Sequence, residues 1–305
     1  MNIHHLRLRI FLSAGLLILL ITLYSTMAIF LANGVTKTDR VSFDHIPEEY
    51  DLPFTDVEFR TRGGGVILKG WYILASNDAP TIIFVHGLGG NRAGDEALDL
   101  ASRLRIQGFN SLLFDLRAHG TSGDGKVSGG YFEQNDVLGA FDYLKNNGTA
   151  PKDIGVIGFS MGAAAAILAI SKEREIRALV ADTAYASVSD LIVQEVGRKT
   201  SLPNWIVPIF VPGTKVAARL LYQIKLEELS PETAVNDIDY PILVVHGKED
   251  TRIPVGHGVR VHEAAYPGSD LWLTPGVDHM DSFLTYPEEY TSRVTRYFNE
   301  RLGRE

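Results

Sequence analysis

Ile154-Gly155-Val156-Ile157-Gly158-Phe159-Ser160-Met161-Gly162, continued by an alanine-rich run to Ile170, is the stretch that decides the fold. Its first part is short, apolar and β-branched, the pattern of a strand buried on both faces. Its last part, Met161 to Ile170, is built mostly from strong helix formers and reads as a buried helix. One serine sits at the junction, with Gly158 and Gly162 flanking it. This is the G-x-S-x-G pattern of a nucleophile elbow, where a strand turns so sharply into a helix that the serine is lifted above the sheet. Side chains at the flanking positions would collide with the neighbouring strand or helix, and the serine itself sits in strained backbone. The turn also sets Ser160 at a helix N-terminus, which favours developing negative charge. A bare G-x-S-x-G also marks ordinary turn and N-cap serines, so the rest of the chain must supply the partners.

Working outward, strands alternate with helices. Val57 to Arg60 and Val66 to Leu74 read as two strands joined by the turn at Gly63-Gly64-Gly65. Thr81 to Val85, Ser111 to Phe114, Ala178 to Ala181, Pro241 to Val245 and Leu271 to Thr274 read as further strands. Helical spacing runs through Gly94 to Gln107, Asn135 to Lys145 and Pro287 to Arg301. This alternation predicts an α/β fold, with a parallel sheet covered on both faces and its site at the C-terminal ends of the strands. Ala184 to Tyr240 interrupts the pattern. It contains the proline-punctuated apolar stretch Leu202 to Pro212 and an expected helix from Lys215 to Ile224. It reads either as a packed excursion of the core or as a lid offering apolar surface to an acyl chain or a bilayer.

A serine is a weak nucleophile unless a base takes its proton and an acid orients that base. Behind such an elbow the chain order is serine, acid, histidine. Asp250 follows the strand Pro241 to Val245 in His246-Gly247-Lys248-Glu249-Asp250, and His279 follows the last strand in Asp278-His279. Both then lie in the row of loops that holds Ser160. Asp250 could instead cap the helix ahead of Val255, Glu249 should point elsewhere from a strand-end turn, and Asp182 is the alternative acid. His279 is the only histidine after the final strand. Acyl transfer further needs donors for an oxyanion. The backbone N–H of Met161 is one candidate. The N–H of Leu88, in the glycine-rich loop His86-Gly87-Leu88-Gly89-Gly90, is the other.

These motifs, together with Asp115-Leu116-Arg117-Ala118-His119-Gly120-Thr121-Ser122, resemble those of the α/β-hydrolase superfamily. The resemblance is greatest to its serine aminopeptidase, monoacylglycerol-lipase and lysophospholipase-like branch, and it extends from Thr81 to Arg301. It implies an α/β-hydrolase fold with a mostly parallel sheet, a triad of Ser160, Asp250 and His279, and an oxyanion hole from Leu88 and Met161. The segment from Asp115 to Ser122 is then a structural loop near the site. Ala118 departs from the glycine frequent there, and Val277 from a small residue. No metal or organic cofactor is implied. The expected reaction cleaves an ester or thioester through an acyl-enzyme; acyl transfer to an alcohol and amide hydrolysis use the same motifs.

Composition excludes several other classes. The net charge of −8, without a basic patch, argues against a nucleic-acid partner. The absence of cysteine removes disulfides, thiolate metal sites and cysteine nucleophiles together. Ile10 to Ala32 carries no charge and holds thirteen Leu, Ile or Phe residues, worth about 4 to 8 kcal/mol for membrane insertion. It is long enough to cross a bilayer as one helix. Arg7 and Arg9 precede it with no nearby acid, while Lys37 and Arg40 follow it at greater distance and among acids, a modest asymmetry that favours a cytoplasmic N-terminus and an extracytoplasmic catalytic domain. A cleaved signal peptide, ending near Ala32 and Gly34, is the competing reading. The expected division is therefore an anchor over 1–34, a polar tether over 35–51 and a hydrolase domain over 52–305 with its lid at about 184–240. The expected partners are a small acyl ester or lipid and the membrane itself.

Overall fold

The elbow strand lies near the middle of an eight-stranded sheet in the computed structural model, which describes every residue except 1, 2, 35, 95, 200–202, 204, 304 and 305. Leu202 and Asn204 of the proline-punctuated stretch, Val35 of the expected tether, and the chain ends Met1 and Glu305 lie outside the described residues. In chain order the elements are α1 (Ile3–Gly34), β1 (Phe54–Arg60), β2 (Ile67–Ile73), β3 (Thr81–Val85), α2 (Ala97–Ile106), β4 (Asn110–Phe114) and α3 (Gln134–Asn146). Then come β5 (Ile154–Phe159), α4 (Met161–Ile170), β6 (Leu179–Asp182), α5 (Val188–Lys199), α6 (Val207–Ala217) and α7 (Pro231–Ala234). The chain closes with β7 (Leu243–Gly247), α8 (Gly256–Ala264), β8 (Asp270–Thr274), α9 (Ser282–Thr285) and α10 (Pro287–Arg301).

The strand order is β1-β2-β4-β3-β5-β6-β7-β8. β2 runs antiparallel to β1 and β4, and every pairing from β4 to β8 is parallel. β3, β4 and β5 are buried along their whole length, as their unbroken apolar runs require of strands covered on both faces. Residues of α3, α4 and α8 pack on one face, and those of α2 and α10 on the other. The chain moves outward from β3 to β4 and then returns to the other side of β3 with β5. The loops after β3 and β5 therefore meet at a topological switch point, where open α/β sheets bind ligands.

Several sequence expectations shift: β1 begins at Phe54 rather than Val57, and α2 at Ala97 rather than Gly94. The strand expected from Pro241 begins at Leu243, since proline has no N–H to give to a ladder. The helix expected over Lys215 to Ile224 is displaced: α6 already starts at Val207 and ends at Ala217, followed by a π-helical turn over Ala218–Tyr222. Pro208 falls in the first turn, where the missing N–H costs nothing. Pro212 lies inside the helix, and the residues read as helical from Lys215 onward are its last turn and the π turn.

A third apolar cluster joins the ends of three distant segments. Ala32 of α1, Ala164 and Leu168 of α4, Ala217 at the end of α6 and Ala218 just beyond it are all buried within it. Residues 36–52 run irregularly along the body, apart from a short helical turn at Pro47–Tyr50. Arg40 donates to the carbonyls of His119 and Gly120, and Asn91 donates to the carbonyl of Ser42.

Candidate active site

β5 ends at Phe159 and α4 begins at Met161, which leaves Ser160 alone at the turn with φ 51° and ψ −117°. A non-glycine residue at positive φ is strained, and surrounding structure must hold it there. The Ser160 N–H donates to the Asp182 carbonyl at 2.9 Å, and the Ser160 carbonyl accepts the Ala164 N–H at 3.1 Å. A methyl group on Gly158 would lie 2.7 Å from the Ala163 Cα, and one on Gly162 would strike the Val85 and His86 carbonyls. Only glycine lets α4 approach β3 so closely.

The structure brings Ser160, His279 and Asp250 together. Ser160 Oγ lies 3.0 Å from His279 Nε2, and His279 Nδ1 lies 2.9 Å from Asp250 Oδ2. An ionised carboxylate can only accept, so Nδ1 carries the proton and Nε2 is left to accept from the serine hydroxyl. The other oxygen of Asp250 accepts the N–H groups of Arg252 at 2.9 Å and Ile253 at 2.7 Å, which fixes the carboxylate in the loop after β7. Behind it, His246 donates to the Ile253 carbonyl at 2.8 Å, and burial lowers its pKa so that it stays neutral.

Two acids near the site act as ties between loops. Glu249 accepts the Val277 N–H at 3.2 Å. Asp278 accepts the backbone N–H groups of Thr251 and His279, each at 2.8 Å. The Thr251 N–H above all holds the Asp278 carboxyl below its ordinary pKa. The loops that carry the acid and the histidine are thus locked to each other. Single-sequence reasoning left these ties out because they pair residues in the loops after two separate strands.

Asp182, the alternative acid, ends β6 and is fully buried. Tyr290 Oη donates to it at 2.7 Å and Thr183 Oγ1 at 2.8 Å, and among the described residues it has no hydrogen bond to His279. Burial pushes its pKa up to about 7. Between its unfolded value near 3.8 and about 7, the folded state binds the extra proton, so Asp182 makes stability fall as pH rises through that window. Asp182→Asn is expected to remove this contribution, worth about 1.4 kcal/mol per pH unit. Unfolding midpoints measured from pH 4 to 8 check it; an unchanged slope in the variant contradicts it.

The loop after β3 lies against the serine. A Cβ on Gly87 would sit 3.4 Å from both the Ser160 Cβ and the Met280 Sδ. Among the described residues, no hydrogen bond uses the N–H of Leu88 or of Met161. The rest of the loop is firmly held. The Gly89 N–H donates to His119 Nε2 at 3.2 Å, while His119 Nδ1 donates to the Arg117 carbonyl at 2.7 Å. Alongside, His86 Nε2 accepts the Leu116 N–H at 3.0 Å and its Nδ1 donates to the Gly87 carbonyl at 2.8 Å. Each ring needs one bare nitrogen, and burial keeps both neutral by lowering their pKa values, that of His86 to about 3. His119 was absent from the sequence-derived set; its position in the Asp115-to-Ser122 motif was the available signal. Ala118, the departure noted there, stands at φ 59°, the left-handed region that glycine adopts without strain.

A mostly parallel sheet of this order, with a strained serine at the turn after β5, defines an α/β hydrolase. The model of the alpha/beta hydrolase family matches residues 82–293, and the chain belongs to that family. A solved esterase from Pyrococcus furiosus is 30% identical, superposes with a TM-score of 0.72, and covers 88% of this chain and 99% of its own. The uncharacterized protein YqkD of Bacillus subtilis is 27% identical over 237 residues, 77% of this chain and 76% of that protein. Lysophosphatidylserine lipase ABHD12 of Xenopus tropicalis is 26% identical over 208 residues, which make up 66% of this chain. The match spans 51% of that relative's length.

Proposed function

We propose that this hydrolase cleaves carboxylic esters of acyl substrates through an acyl-enzyme intermediate on Ser160. The observation that carries the reading is the unbroken chain Ser160–His279–Asp250, at 3.0 Å and 2.9 Å. His279 Nε2 takes the hydroxyl proton as Ser160 Oγ attacks the carbonyl carbon, and Asp250 stabilises the imidazolium that forms. The N–H groups of Leu88 and Met161 receive the oxyanion, and His279 returns its proton to the departing alkoxide. Water, deprotonated by His279, then attacks the acyl carbon and frees Ser160. The esterase and lipase relatives support an ester substrate.

The same reading divides the chain into an uncleaved membrane anchor over 1–34, a connecting segment over 35–51, and a hydrolase domain over 52–305 with a cap at about 184–240. Among the described residues, one helix, over Arg9–Gly34, is long and apolar enough to span a bilayer. Its last turns hold Ala28 and Ala32, buried in the domain, so cleavage near Ala32 would strip core residues away. The positive charges at Arg7 and Arg9 favour an extracytoplasmic hydrolase domain. An anchored site beside an apolar cap suits medium or long acyl chains. The full-length protein in detergent is therefore expected to hydrolyse p-nitrophenyl esters, with kcat/KM rising from acetate to longer acyl groups. No turnover of any ester would overturn the proposal, and a preference for acetate would overturn the chain-length part alone.

A further inference from the structure

The N-terminal helix does more than leave the domain: it docks on the cap. Tyr24 Oη donates to the Ile209 carbonyl at 3.1 Å and accepts the Gly213 N–H at 3.0 Å. Its ring stacks on Phe210 with centroids 5.3 Å apart. The fit depends on glycine, since a Cβ at position 213 would lie 2.6 Å from the Tyr24 ring. Further along, Tyr222 Oη donates to Asn33 Oδ1 at 3.2 Å. From Tyr24 to Asn33 and from Gly213 to Tyr222 the two segments advance by the same nine residues, so they run side by side in one direction. Between them lies an apolar groove of about 500 Å³, lined by Ala28, Ile29, Val216 and Leu221 among others.

The depth of this contact follows from helix geometry. Counted from Arg9, the last charge before the apolar run, about 20 helical residues cross the hydrocarbon layer and end near Ile29. Tyr24 precedes Ile29 by five residues, about 7 Å along the axis, inside the layer. Whatever touches Tyr24 is then at lipid level too. The cap's exposed face, which borders this open groove through Val216 and Leu220, fits that position: Trp205, Ile209, Val216 and Leu220 recur at helical spacing and are 74%, 56%, 58% and 75% exposed. No charged residue occurs from Trp205 to Thr214. Charge supplies an independent argument. The whole chain is acidic at −8, yet from Val196 to Leu226 it carries Arg198, Lys199, Lys215, Arg219 and Lys225 and no acid. Arg219 and Lys225 are shared with Glu227 and Glu228 at the edge of this stretch, so the apolar face is bordered by a local excess of positive charge. Acyl chains against the face and lipid phosphates at its basic border match a phospholipid leaflet.

We propose that α6 and α1 form one bilayer-seated unit, with the face of Trp205, Ile209, Val216 and Leu220 immersed in the acyl region of the leaflet nearest the hydrolase domain. The proposal rests on reading α1 as a membrane span. It gives the cap a fixed place at the lipid, whatever substrate the site accepts.

The three tryptophans provide the test, because Trp71 and Trp272 are buried in the domain and Trp205 alone is exposed. The full chain is reconstituted into phosphatidylcholine–phosphatidylglycerol vesicles with plain or dibrominated acyl chains, and tryptophan emission and flotation are recorded. Bromine is expected to quench the wild-type protein several-fold more than W205F, with both proteins floating. Equal quenching of the two floating proteins overturns the seated cap while leaving the anchor intact. Failure of the wild type to float overturns the membrane-span reading, and the seated cap with it.

Discussion

Replacing Ser160 by alanine is expected to lower kcat for ester hydrolysis by about a million-fold, the loss seen when a triad nucleophile is removed. The reasoning is chemical. The alanine variant keeps the Leu88 and Met161 N–H groups and the His279–Asp250 pair, but no atom remains to form the acyl-enzyme. Water must then attack directly, helped only by the oxyanion donors. Substrate affinity should change little, because the lost oxygen contributes little to ground-state contact. Alanine also lacks the hydroxyl that His279 Nε2 holds at 3.0 Å, so the strained turn at φ 51° loses one tie without gaining a clash. Steady-state kinetics on a purified, folded variant check this. A loss of only about tenfold would mean that another residue performs the attack, because triad removal costs far more.

Asp250→Asn is expected to be the next most damaging change, at about ten-thousand-fold in kcat. The carboxylate accepts the Nδ1 proton at 2.9 Å while its second oxygen is held by the Arg252 and Ile253 N–H groups. Those two donors keep the amide oxygen of asparagine on their side and turn its NH2 toward His279. The imidazole must then carry its proton on Nε2, the tautomer that cannot accept from Ser160. Asp182→Asn is the control. Its carboxyl is bound to Tyr290 and Thr183, and its substitution should alter turnover far less than that of Asp250. If the Asp182 variant is the more damaged, the acid has been misassigned.

Much of this molecule could be read from its chain because local signals agreed with tertiary needs. β5 and α4 follow from an unbroken apolar run and an alanine-rich one, which have few alternatives once both faces are covered. Ser160, Asp250 and His279 could be named because each stands just beyond a legible strand, so topology alone brings them to one edge. What stayed hidden depends on pairs far apart in sequence. The Gly89–His119 bond, the Thr251–Asp278 tie and the seating of Tyr24 on Gly213 leave no periodic trace. The α6 helix was displaced for a different reason. Pro208 reads as a helix breaker, yet at the first helical turn its missing N–H leaves no bond unmade.

The account stands on a hydroxyl made reactive by two partners brought from distant loops. The most direct measurement treats the full-length protein with a fluorophosphonate and locates the adduct by peptide mass spectrometry. Stoichiometric phosphonylation at Ser160, lost when His279 is replaced by alanine, is the predicted result. A folded protein that takes no label, or takes it on another residue, would contradict it.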